Sequence, residues 1–141
     1  MTNIKALICT VAGIIGGIVT KLFGGWSEDM VTLIVFMTVD FLMGLILAGV
    51  FHNSNKSETG HLNSRAGWKG LCKKCVTLLF VLIAHRLDMS LSTEYIRTAT
   101  IIGFIANELI SIVENAGLMG LPLPEVVVKA IEILRGQEDS K

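Results

Sequence analysis

Residues 101–124, IIGFIANELISIVENAGLMGLPLP, constrain the fold more than any other stretch, because a run apolar enough for a lipid bilayer carries two carboxylates and two amides. On a helix, Thr100, Gly103, Asn107, Ser111 and Glu114 recur at three- and four-residue steps and form one stripe. The remaining faces carry Ile101, Ile102, Phe104, Ile105, Leu109, Ile110, Ile112 and Val113. A carboxylate at mid-bilayer costs roughly 2.5–3.5 kcal/mol on insertion scales, so Glu108 is expected to face protein or trapped water. The helix therefore needs a neighbour. Glu114 and Asn115 have a second reading, since the helix reaches the headgroup layer near them.

Three further apolar runs surround this one. Residues 4–23 are long enough to span a bilayer, with Lys5 and Lys21 at the ends, and they read as a retained helix rather than a signal peptide because no A-x-A-like site follows. Ala12, Gly13, Gly16 and Gly17 set small residues four apart, the spacing at which membrane helices approach closely. After a polar turn at 24–29, where Trp26 can anchor at the interface, residues 30–51 form the cleanest span, broken only by Asp40. Asp40 shares a face with Gly44 and Ala48, and so points toward a packed interface, either to pair with a neighbouring helix or to line a lumen.

Residues 52–70 turn polar and read as the main loop, with Asn63 or Ser64 capping a helix that starts near Arg65 and carries Trp68, Lys69, Lys73 and Lys74 to the membrane. The run at 71–89 is the weakest of the four. Its uncharged core, Cys75 to Ala84, falls well short of the roughly 20 residues a bilayer requires, so it spans only if Lys73, Lys74 and Arg86 snorkel. Ser92, Thr93 and Glu94 resemble a helix start, with Tyr95 another interfacial aromatic before a fourth segment at 95–115. Pro122 and Pro124 end that helix, and 124–135 reads as an amphipathic helix with Val127, Ala130, Ile131 and Leu134 on one side and Gly136 as its stop. The last residues, QEDSK, read as a solvated tail.

The expected architecture is thus an all-α integral membrane protein in a single domain, with four candidate transmembrane helices and a C-terminal amphipathic helix. A chain of 141 residues that is 52% hydrophobic, with a mean hydropathy of +0.65, fits a compact polytopic protein and leaves no room for a second domain. Twelve basic residues balance twelve acidic ones, which gives no sign of a nucleic-acid partner. Their distribution is informative. With four crossings, nine Lys and Arg lie on the side of the termini and the middle loop against three opposite, which puts the termini and that loop in the cytoplasm. Cys9, Cys72 and Cys75 make no disulfide framework, and His52 and His61 have no convincing ligand spacing around them, so no metal, cofactor or catalytic residue is expected.

Four pieces taken in order resemble the phage holins of the toxin-secretion/phage-lysis type, a group that includes clostridial holin-like proteins associated with toxin release. They are Asp40 followed by Gly44, the loop segment LNSRAGWKGLCKK, the stretch NELISIVENAGLMGLP, and the helix PLPEVVVKAIEIL, together covering about residues 35–135. The resemblance implies a small protein of the bacterial cytoplasmic membrane that assembles with copies of itself and opens lesions, so that an endolysin or a toxin, as cargo rather than stable partner, reaches the wall side. On that reading Asp40, Asn107, Glu108, Ser111, Glu114 and Asn115 are assembly or pore positions. Gly13, Gly17, Gly44 and Ala48 pack helices, and Trp26, Trp68, Lys73, Lys74, Arg86 and Tyr95 meet the membrane interface. Polar stripes on apolar helices are tolerable while buried between protomers, and can line water once many protomers form a ring. A small ion channel or transporter subunit, and a membrane adaptor without a pore, are the competing readings.

Overall fold

Proline occurs only at 122 and 124, so nothing in the sequence forces a break in the helices before the fourth one ends. A computed structural model of the chain describes residues 2–138, and the side chains of residues 3–133; the expected tail beyond 138, and the side chains of Leu134 and Arg135, lie outside the described residues. Among the described residues five α-helices follow one another: α1 (Thr2–Leu22), α2 (Glu28–Ile46), α3 (Ser64–Leu91), α4 (Ile96–Leu118) and α5 (Glu125–Glu138). No strand occurs among the described residues.

The ends follow from local chemistry. Ser27, in extended conformation, starts α2, and Glu28 and Asp29 set negative charge against the positive end of the helix dipole. At its far end α2 loosens into a π-helical turn, Leu47–Phe51, and stops at His52, whose φ of 52° turns the chain out of the helix. Asn63 caps α3 by accepting a hydrogen bond from the Arg65 amide at 2.9 Å, as its residue type anticipates. α5 starts after Pro124, but it runs on through Gly136 to Glu138: an isolated glycine lowers helix stability by about 1 kcal/mol without having to end the helix.

α2, α3 and α4 form the bundle. On α2, Met30, Leu33, Met37, Asp40 and Leu47 are buried at steps of three, four and seven. α4 buries Arg97, Ile101, Glu108 and Asn115, and α3 buries Val81, Ala84 and Asp88. Such spacing keeps one seam of each helix toward its neighbours along its length. The apolar centre is Met30, Leu33, Met37, Val81 and Ile101, with Phe23, Leu78, Phe104 and Ile105 packed around it.

α2 and α4 run parallel. At one end Arg97, in the first turn of α4, bonds the loop that leads into α2; at the other, the Asn53 side chain just past α2 donates to the Leu118 carbonyl that ends α4, at 3.2 Å. α3 runs antiparallel to both. α1 stands apart: residues 3–19 are all exposed, and its helix meets the rest of the chain only near its foot, where the Trp26 indole donates to Thr20 Oγ1 at 2.9 Å.

Among the described residues three helices, not the expected four, are long and apolar enough by themselves to cross a membrane: residues 3–22, 28–51 and 96–118. α3 is long enough at 28 residues, but Arg65, Lys69, Lys73, Lys74, Arg86 and Asp88 interrupt it.

Candidate functional site

Each bundle helix contributes one charge to a single layer. Lys74 of α3 donates to Asp40 Oδ2 of α2 at 2.8 Å and to Glu108 Oε2 of α4 at 2.6 Å. The side chains are nearly sealed, 13% exposed for Lys74, 6% for Asp40 and 9% for Glu108. The other oxygen of Asp40 accepts from Ser111 Oγ at 2.6 Å and from Asn115 Nδ2 at 3.0 Å, and Lys56 of the middle loop brings its ammonium to 3.7 Å. Among the described side chains, no buried nitrogen or oxygen lacks a hydrogen-bond partner. Two carboxylates and two ammonium groups sum to zero, so the layer carries no net charge into the bundle. Desolvating such charges is expensive, and mutual pairing with complete hydrogen bonding is what makes it tolerable.

Sequence reasoning placed Asp40 and Glu108 inside a packed interface, with Asp40 either paired to a neighbouring helix or lining a lumen, and on the family resemblance looked for shelter between sister copies. In the structure their partners come from the same chain. The inward stripe of α4 also lies one residue along from the expected one, about 100° around the helix: it runs through Ile101, Glu108 and Asn115. Asn107 is consequently exposed, Ser111 sits at the edge of the stripe, and Glu114 is half-buried. Lys74, expected at the lipid interface, turns into the bundle because two buried carboxylates attract it more strongly than a headgroup layer can. Lys73 and Arg86 are exposed, as are Trp26, Trp68 and Tyr95.

Of the small residues, Ala48 is buried and Gly44 borders a cavity of about 190 Å³ beneath the middle loop. At Gly13 and Gly17 an added Cβ meets no other atom, so the close packing expected there does not occur within the chain.

A second polar cluster lies at the opposite end of the bundle, where the sequence alone offers His85, Arg86 and Asp88 as a hydrated helix end, but Asp88 is buried. Asp88, near the end of α3, accepts from Thr93 Oγ1 at 2.6 Å and from the amides of Ile96 and Arg97 at 3.0 and 2.8 Å, and so caps α4 from a neighbouring helix. The buried Arg97 guanidinium donates to the Phe23 carbonyl at 2.6 Å, to Ser27 Oγ at 3.0 Å and to the Gly25 carbonyl at 3.1 Å. Gly24 lies so close to the His85 ring, with a φ of 77°, that a side chain there would collide at 2.6 Å. The available signal was the seven-residue spacing of Lys74, Val81 and Asp88, which marks one inward face of α3 despite its charged ends.

No group of three or more His, Cys, Asp or Glu suited to a metal occurs among the described residues. The rings of His52 and His61 lie with centroids 4.4 Å apart and planes tilted by 40°, and Cys9, Cys72 and Cys75 are free and exposed.

Comparison with known proteins places this architecture. A protein of Halalkalibacterium halodurans with no assigned function is 38% identical over 140 residues, covering 95% of this chain and 98% of its own. A similarly uncharacterised Clostridium perfringens protein is 33% identical over 139 residues, 96% and 97% of the two chains. A probable holin of Bacillus phage phi105 is 29% identical over 110 residues, 77% and 76% of the two chains. No solved structure matches. The model of the bacteriophage holin family, which is not an enzyme family, matches residues 17–136, the whole three-helix bundle with its ionic layer and most of the amphipathic helix. This chain, with its long apolar helices, is a membrane protein of the bacteriophage holin family.

Proposed function

We propose that the protein crosses the bacterial cytoplasmic membrane four times, with its termini and middle loop in the cytoplasm, and that copies assemble to open lesions through which an endolysin, or a toxin, reaches the wall. The observation that carries the topology is that α2 and α4 are parallel. Two parallel membrane helices require the chain to cross back between them, and α3 is the element available. At 1.5 Å per residue its 28 residues extend about 42 Å, more than the hydrocarbon core. Lys74 does not count against it, because its charge is matched inside the bundle, and Lys73 and Arg86 can reach the headgroups along their stems. Counted without the buried Lys74 and Arg97, the cationic residues still divide eight to two in favour of the termini and middle loop.

Assembly has two supports. α1 is an apolar helix exposed from residue 3 to residue 19, and Gly13 and Gly17 present a smooth face that a second α1 can approach closely. The ionic layer is satisfied within one protomer, yet Asn107, Lys56 and Glu114 border a cavity beside it. Separation of α3 from α2 and α4 in a crowded membrane would expose Asp40, Lys74 and Glu108 together and give a lesion a polar wall.

The test is induction of the protein in cells that also produce an endolysin with no export route of its own. Lysis with release of a folded cytosolic enzyme is expected, and Glu108→Leu is expected to change its timing at equal expression. Leakage of ions alone would support a small channel instead, and intact potential and viability would point to an adaptor.

A further inference from the structure

Beside the ionic layer a cavity of about 440 Å³ opens between the N-terminal half of α3 and the C-terminal half of α4. Its rim carries Lys69 and Lys73, one helical turn apart, and Ala66 and Gly70 leave the space between them open. Both lysines are exposed. The carboxylates in the wall do not offset them fully. Asp40 and Glu108 are taken up by Lys74, Lys56 stands beside Asp40, and the four lysines of the wall exceed its three acids, Glu114 included, by one.

A second hollow, about 580 Å³, continues from the first. Lys73, Thr77 and Asn107 line both, and beyond them the second hollow passes between Val76, Phe80 and Phe104 toward mid-bundle. From the end of α3 inward, the surface therefore runs from exposed cations, through hydroxyl and amide groups, to an aromatic and aliphatic groove. That order of chemistry is the order of a phospholipid from headgroup to acyl chain.

We propose that this paired hollow is a binding site for one anionic phospholipid, its phosphate held by Lys69 and Lys73 and one acyl chain lying in the groove against Phe80 and Phe104. Charge complementarity selects the anionic lipid over a zwitterionic one, since a wall with two exposed ammonium groups and a net positive charge favours more negative charge than a choline-compensated phosphate presents. Bound there, the lipid stands next to the ionic layer and fills the seam between α3 and α4, so it favours the closed bundle. The site rests on the proposed crossing of α3, and the experiment separates the two.

The full-length protein with Phe80→Trp, Trp26→Phe and Trp68→Phe carries its only tryptophan in the groove. It is reconstituted in vesicles of phosphatidylcholine and phosphatidylglycerol in which one lipid or the other has brominated acyl chains, and quenching gives their relative binding constant. Phosphatidylglycerol is expected to be preferred about fivefold, the order that one lysine near an anionic surface supplies. The preference is expected to vanish when Lys69→Gln and Lys73→Gln are added, and to persist with Arg65→Gln and Lys129→Gln, which remove equal charge outside the cavity. Equal quenching by both lipids, or a preference untouched by the Lys69 and Lys73 changes, overturns the site while leaving α3 in the membrane. No quenching by either lipid overturns the crossing of α3, and the site with it.

Discussion

Lys74 decides what the two membrane carboxylates do. It is placed between Asp40 and Glu108, and neither acid has another cation within 3 Å, Lys56 standing off at 3.7 Å from Asp40. Removing one member of a buried ionic group leaves an uncompensated charge, whereas removing all of them can be nearly neutral. Lys74→Met is therefore expected to destabilise the bundle by about 3–5 kcal/mol, read as the shift of the urea unfolding curve in detergent micelles. Adding Asp40→Asn and Glu108→Gln to that variant should restore most of the loss. If Lys74→Met unfolds where the unaltered protein does, the lysine is not what holds the carboxylates in place.

At the scale of elements, the helices divide by how they are satisfied. α2, α3 and α4 complete one another through an apolar seam, an ionic layer and the Asp88 and Arg97 clasp, while α1 completes nothing. An apolar helix of 21 residues gains little from water exclusion once in lipid, so its partner is chosen by close packing at small residues. Cys9 lies four residues before Gly13 and shares its face, which makes it a reporter of that packing. With Cys72 and Cys75 changed to serine, oxidation in the membrane is expected to link two copies through Cys9. Gly13→Leu with Gly17→Leu should cut the yield severalfold and leave the unfolding of the bundle unchanged. Undiminished cross-linking would mean that copies do not meet through the glycine face.

For the whole molecule, topology is the property on which function depends. Parallel α2 and α4 put the middle loop and the turn between α3 and α4 at opposite ends of the bundle. A membrane-impermeant maleimide should label Glu94→Cys in intact cells and reach Glu58→Cys only after permeabilisation, both in a background without the native cysteines. Labelling of both positions from the same side would exclude a crossing by α3 and leave an odd number of spans. The same bundle sets what a lesion can be made of: the polar side chains already gathered in one layer are the ones a protomer can turn toward water.

The sequence by itself determined that the chain is helical and belongs in a membrane, because uninterrupted apolar runs and their spacing are local properties that need no knowledge of neighbours. It also singled out Asp40 and Glu108 as groups that must be sheltered, since the cost of a charged group in lipid depends only on the group. The direction of that shelter belonged to the tertiary structure. Lys74 lies 34 residues from each carboxylate, and hydropathy can register it only as a charge that shortens α3. Arg97 likewise reads as a loop cation until the fold brings it to the Phe23 and Gly25 carbonyls more than 70 residues away. Pairing energy depends on distances of a few ångströms between helices, and those distances exist only once the helices have packed.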